Sequence, residues 1–90
     1  MTSIDIYGKD TCKLCPHVKR KVVKLIERWG LSDSVPIRHW DMGEPTGLAE
    51  AAFNDVHKTP TTVVMRGEEV ARWSGKAPDS AELKQAIYGP

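Results

Sequence analysis

Between Ser3 and Trp29 the spacing of apolar residues changes from two to between three and four, and that change limits the folds open to the chain. In "SIDIYG", residues 3–8, Ile4 and Ile6 alternate with Asp5 and Tyr7, the period of a strand, and Gly8 ends the run. From Cys15 to Trp29 the positions Val18, Val22, Leu25, Ile26 and Trp29 follow the period of a helix. Pro16 suits its first turn and Gly30 its C-terminal stop. "VPIRHWDM", residues 35–42, reads as a second strand. Strand, helix and strand in this order form a β-α-β unit, with a right-handed crossover and parallel strands.

The second half continues in the same style. "PTGLAEAAFNDVH", residues 45–57, reads as a helix with Leu48, Ala52 and Val56 on its apolar stripe and Pro45 at its start. "TTVVMRGEEVARW", residues 61–73, is a hairpin whose two β-rich runs flank Arg66-Gly67-Glu68-Glu69. "PDSAELKQAIYG", residues 78–89, is a helix with Asp79 and Glu82 set as a capping box and Gly89 closing it. The order β-α-β-α-β-β-α predicts an α/β fold: a four-stranded mixed sheet with helices on both faces. There is no repeat or linker, so residues 1–90 are expected to form one domain.

Composition narrows the function classes. Ninety residues with 40% hydrophobic content suffice for one core, and 28% charged residues is an ordinary globular share. A formal net charge of +1 gives no reason to expect nucleic acid as a partner. The charge is unevenly spread, with seven basic residues (Lys9, Lys13, Lys19, Arg20, Lys21, Lys24, Arg28) against Asp10 and Glu27 between positions 9 and 28. Such a face is either solvated surface or a recognition site for an acidic partner. No apolar run approaches the roughly 18 residues of a membrane span, so no membrane association is expected. "MTSIDIYGKD" lacks the apolar region of a signal peptide, and the expected compartment is the cytoplasm. A monomer is expected.

The two cysteines, Cys12 and Cys15, lie in "GKDTCKLCPH". In a reducing compartment a C-x-x-C is catalytic or metal-binding rather than a structural staple, and the loop it closes is too small to add much stability. Cys12 falls at the junction of the first strand's loop and the helix, and Cys15 about one turn further, so the two sulfurs can meet. Free backbone N–H groups and the helix dipole there favour a thiolate, lowering its pKa by one to several units from about 8.5. Cys12 is then the nucleophile and Cys15 the resolving thiol. The rival reading is a metal or iron–sulfur site or a redox sensor without turnover, drawing in His17, His39 or His57. A zinc site wants four ligands, and no second C-x-x-C exists. Far downstream, Thr59-Pro60 precedes a strand. Pro cannot donate to a sheet ladder, and a tight turn with a cis peptide is one reason to find it there.

With these features the chain resembles the thioredoxin superfamily, and within it the glutaredoxin-like redoxins. "YGKDTCKLC" is similar to the glutaredoxin K-x-x-C-P-Y-C segment, with Lys9, Cys12 and Cys15 in matching positions. The resemblance implies that Thr59-Pro60 is the residue–cis-Pro pair that lies opposite the C-x-x-C and meets substrate backbone. "WSGKAPD", residues 73–79, stands where glutathione-binding glutaredoxins carry Gly-Gly followed by Asp, and is closer to the W-S-G-F-R-P-D of NrdH-type redoxins. It therefore implies a substrate surface of Lys9, Thr11, Lys13, Thr59, Pro60, Trp73, Ser74 and Gly75. No bound cofactor is expected; glutathione or thioredoxin reductase is the implied electron donor. Protein disulfides, glutathione mixed disulfides and ribonucleotide reductase are the implied partners. The sequence departs from the pattern at Lys13-Leu14, at Thr11 before Cys12, at Thr59, and at Lys76-Ala77. For Trp29 and Trp40 core packing is the plainer expectation. Trp73 is balanced between packing and the site, and Asp79 is at least a helix N-cap.

Overall fold

A computed structural model describes residues 1–89. The elements run β1 (Thr2–Gly8), α1 (Cys15–Arg28), β2 (Ile37–Asp41), α2 (Pro45–Phe53), β3 (Thr61–Arg66), β4 (Glu68–Ser74) and α3 (Ser80–Tyr88). The strands form one sheet in the order β2-β1-β3-β4. β1 pairs parallel with β2 and antiparallel with β3, and β3 pairs antiparallel with β4. This is the mixed four-stranded sheet and the element order that the periodicities imply.

The two faces carry different loads. Ile4 and Ile6 of β1 and Val64 of β3 pack against Val18, Val22, Leu25 and Ile26 of α1 and Leu83 and Ile87 of α3. Tyr7 and Val63 pack on the opposite face against Ala51 and Val56, beneath α2. Burying each such aliphatic side chain contributes roughly 1.5–3 kcal/mol. Trp73 is 7% exposed and belongs to the larger cluster, while Trp29 packs against that cluster and Trp40 against the smaller one, both partly buried.

Several local readings shift. Asp5 and Tyr7, on the second side of β1, are 4% and 1% exposed, as helices on both faces of the sheet imply. The buried Asp5 carboxylate is matched by Arg38, whose Nε and second guanidinium nitrogen donate to its two oxygens at 2.7 and 3.0 Å. Trp40 Nε1 donates to the same carboxylate at 3.0 Å. A charge in a core requires such partners, since its desolvation penalty is otherwise several kcal/mol. Of the expected stripe of Leu48, Ala52 and Val56 only Val56 is buried, past the end of the helix; Leu48 is 54% exposed and Ala52 exposed, and within α2 Gly47 and Ala51 are buried instead. Gly47 sets this rotation. A Cβ there would collide with the backbone of Asp41, so α2 presents its bare backbone to the end of β2. The helix also stops at Phe53 rather than His57, where Asp55 turns to φ 59°.

The capping box of α3 is half formed. Asp79 accepts the backbone N–H of Glu82 at 3.1 Å, but the Glu82 carboxylate receives the Trp73 indole N–H at 2.9 Å instead of reaching back to the cap. The hairpin turns through Gly67 at φ 82°, with a register shift at Val64/Met65.

Gly47→Ala should lower stability by about 1–3 kcal/mol in denaturant titration, since the added methyl has backbone rather than a yielding side chain in its way. Burial, then the negative charges of Asp5 and Glu50, push the Tyr7 hydroxyl up to about 12 from its ordinary value near 10, against the Asn54 hydrogen bond that lowers it. Between those values the unfolded chain releases a proton that the folded chain keeps, so stability falls as pH rises through this window, by up to roughly 2–3 kcal/mol. Tyr7→Phe should remove that part of the alkaline loss while leaving stability below pH ~9 free of the same pH dependence.

Candidate active site

The end of β1 is where the site is assembled. Cys12 and Cys15 are joined by a disulfide, with Cα atoms 5.4 Å apart. Cys15 is the first residue of α1 and is 3% exposed, whereas Cys12 lies in the preceding turn and is partly exposed. That turn is closed by the Cys12 N–H donating to the Lys9 carbonyl at 3.0 Å. α1 has no oxygen-bearing N-cap: Leu14 holds that position and makes no side-chain cap. In its place the Cys12 Sγ accepts the Cys15 N–H at 3.2 Å. The sulfur of Cys12 thus meets the positive end of the helix, as a stabilised thiolate would.

Gly8 explains how the buried sulfur is accommodated. A Cβ at Gly8 would stand 3.4 Å from Cys15 Sγ and 3.7 Å from Lys19 Cε, in van der Waals contact with both, so a longer side chain would enter the space beside the sulfur. Without one, a cavity of about 210 Å³ opens beside the disulfide, lined by Gly8, Lys9, Asp10, Cys12, Cys15, Pro16, Lys19 and Asp41. A larger cavity of about 550 Å³ lies between β4 and α3, but neither cysteine lines it. The reactive atoms, rather than size, identify the smaller one.

Register brings in the distant segments. Tyr7 pairs with Thr61, so the next step of the antiparallel ladder places Pro60 across from Gly8. The Thr59–Pro60 peptide bond is cis and Pro60 is buried. The Pro60 carbonyl accepts the Gly75 N–H at 2.7 Å, and Gly75 holds φ 76°, a conformation that favours glycine. Ser74 pairs with Thr61, whose hydroxyl donates to Ser74 Oγ at 3.2 Å and to the Lys58 carbonyl at 2.7 Å. Thr59, Pro60, Ser74 and Gly75 therefore meet at the same end of the sheet as the cysteines, and Lys9 lines the cavity with them. Thr11 and Lys13 flank Cys12 on the exposed turn. Trp73 lies apart from this group, holding to the core and to Glu82.

Two cavity residues lie outside the quoted motif, Lys19 and Asp41. Lys19 is one helical turn after Cys15, and Asp41 follows from the parallel register Gly8↔Asp41, so both were reachable once the topology was drawn. Partial burial, and then the positive charge of Lys19, push the His39 imidazole below its usual range. Among the described residues no group of three or more His, Cys, Asp or Glu side chains is placed to hold a metal ion, so His17, His39 and His57 do not join the cysteines. His57 pairs with Asp55 at 2.7 Å on the surface. No helix among the described residues is long and apolar enough to cross a membrane.

The two sulfurs should differ sharply once reduced. Under limiting iodoacetamide, Cys12 should be alkylated at least about tenfold faster than Cys15, read by mass spectrometry of the peptides, because only the outer sulfur is accessible and faces the helix N-terminus. Equal rates would contradict the asymmetry.

No protein-family model matches the chain, and no curated protein matches it. Solved structures do. Thioredoxin O2 from Arabidopsis thaliana in its oxidised state superposes with a TM-score of 0.78 at 18% identity, covering 98% of this chain and 73% of that one. Thioredoxin 1 from Thermosipho africanus gives 0.74 at 18% identity, covering 96% and 90%. Fasciola hepatica thioredoxin gives 0.73 at 24% identity, covering 97% and 78%. Strand order, helix placement and the position of the C-x-x-C pair lead to the same place as these superpositions: the chain has the fold of the thioredoxin superfamily.

Proposed function

We propose that the chain is a glutaredoxin-like thiol–disulfide oxidoreductase that reduces protein disulfides or glutathione mixed disulfides. The observation that carries this reading is the unequal placement of two bonded sulfurs, one accessible at a helix N-terminus and one buried behind it. In the reduced protein the Cys12 thiolate attacks one sulfur of the substrate disulfide. The substrate S–S bond breaks, its other sulfur leaves as a thiolate and takes up a proton, and a mixed disulfide with Cys12 remains. Cys15 loses its proton and attacks Cys12 Sγ, expelling the second substrate thiol and forming the Cys12–Cys15 disulfide. Two electrons and two protons from a thiol donor reset the pair. The Pro60 segment, at the same end of the sheet as the cysteines and with the Ser74-Gly75 turn as its neighbour, is the part of this reading that meets extended substrate backbone.

Glutathione and a flavin-dependent thioredoxin reductase are the two donors to compare. The cations Lys9 and Lys19 around the cavity suit glutathione's carboxylates. "WSGKAPD" favours the reductase by its likeness to the NrdH-type motif. The reading places the protein in the cytoplasm as a monomer.

Cys12→Ser should abolish reduction of a small disulfide, while Cys15→Ser should retain only exchange through a single thiol with glutathione. Full activity in Cys12→Ser would refute the assignment. Incubating the oxidised protein with each donor in parallel and titrating free thiols distinguishes the donors, and failure with both would favour a sensor.

A further inference from the structure

The outer face of α1 continues the site. The cavity beside the disulfide and a shallow groove of about 300 Å³ on α1 share one wall residue, Lys19. The groove is lined by Lys19, Arg20, Val23, Lys24 and Glu27. Pro16, exposed and lining the first cavity, falls on the same helical stripe, one turn before Lys19 and Arg20. A continuous track therefore leaves the sulfurs and runs along α1, with a partly buried Val23 on its floor and three cations on its walls.

The charge balance has one direction. Residues 9–28 hold seven basic and two acidic side chains, which leaves six basic and ten acidic for the rest of the chain. Elsewhere two of the six cations are paired, Arg38 with Asp5 and Arg72 with Glu69. Among the described residues, none of the seven cations around the cysteines and α1 lies in an ion pair. Asp10 and Asp41 also line the cavity, so the excess of positive charge lies on its α1 side, beside the partly exposed Cys12, and such a field next to a reactive group concentrates ligands of the other sign.

We infer that the protein partner carries its reactive cysteine in an acidic segment, which lies along the groove of α1 while that cysteine meets Cys12. A polypeptide is the occupant, because it must bring the sulfur that Cys12 attacks; a nucleic acid has none to offer. The segment places Asp or Glu side chains against Lys19, Arg20 and Lys24, and an apolar side chain on Val23, over roughly 6–14 Å along the helix from Cys15. Glu27 at the far end of the groove sets a limit, repelling acidic residues beyond that point.

This rests on the oxidoreductase reading above, and the experiment separates the two. Three substrates are compared: a small uncharged disulfide, and two disulfide-linked peptides of equal length with acidic or basic residues beside the cysteine. At about 10 mM salt, where charges act over roughly 30 Å, the wild-type protein should reduce the acidic peptide at least about tenfold faster in kcat/KM than the basic one. The preference should collapse near 1 M salt, where that reach is roughly 3 Å. The double variant Arg20→Glu, Lys24→Glu should lose the preference at low salt and keep its rate on the uncharged disulfide. Equal rates on the two peptides at low salt, or a variant that slows on all three substrates alike, would overturn the inference. Failure of the wild-type protein on the uncharged disulfide would instead overturn the oxidoreductase reading.

Discussion

The residue on which the site depends most is one without a side chain. β1 is paired on both edges and covered on both faces, so its C-terminal end is a fixed point in the molecule. Gly8 is that end. Its neighbours by register are Asp41 on one side and Pro60 on the other, and Cys15 sits above it. A larger residue at this position would project toward Cys15 and into the cavity. With glycine there, segments separated by more than fifty positions in sequence meet at one end of the sheet.

Burial then divides the labour between two chemically identical side chains. Cys15 heads a helix whose stripe of Val18, Val22, Leu25 and Ile26 is pinned to the sheet, so its sulfur cannot swing outward without unpacking that stripe. Cys12 belongs to a turn held by one backbone hydrogen bond, and it can present its sulfur to a partner. The order in which they react is set by packing before any difference in acidity enters. The same packing keeps the resolving thiol within reach, since it has no other place to go.

Much of this was legible in the sequence, and for identifiable reasons. Strict periodicity in β1 and α1, Gly30 after the helix and Asp79 before the last one are local signals, and the chain obeys them. What failed was decided at a distance. The rotation of α2 depends on Gly47 meeting the backbone of Asp41, which no pattern within "PTGLAEAAF" records. Nothing local marks Asp5 as a buried, paired carboxylate, because its partners, Arg38 and Trp40, lie on another strand. Glu82 fits a capping box by spacing, yet the buried Trp73 indole competes for its carboxylate and wins. For the site, the cysteines are visible by motif, whereas Lys19 and Asp41 become visible only through a helical turn and a strand register.

The helices also differ in how their first turns are treated, and the difference bears on chemistry. α3 is built for stability, with Asp79 capping its N-terminus and Glu82 adding negative charge in the first turn. α1 is longer and central to the larger core, yet it has neither an oxygen cap nor an acidic residue in its first turn, and Lys13 stands just ahead of it. Each omission forgoes stabilisation of about 0.3–1 kcal/mol. Arg20 and Lys24, and Lys24 and Arg28, add like-charge pairs four residues apart, which cost a few tenths of a kcal/mol each. A helix tuned for stability alone would not combine these. The combination leaves the helix's positive end uncompensated, with the Cys12 sulfur as the group placed to accept from it. Stability is given up where a thiolate would gain it.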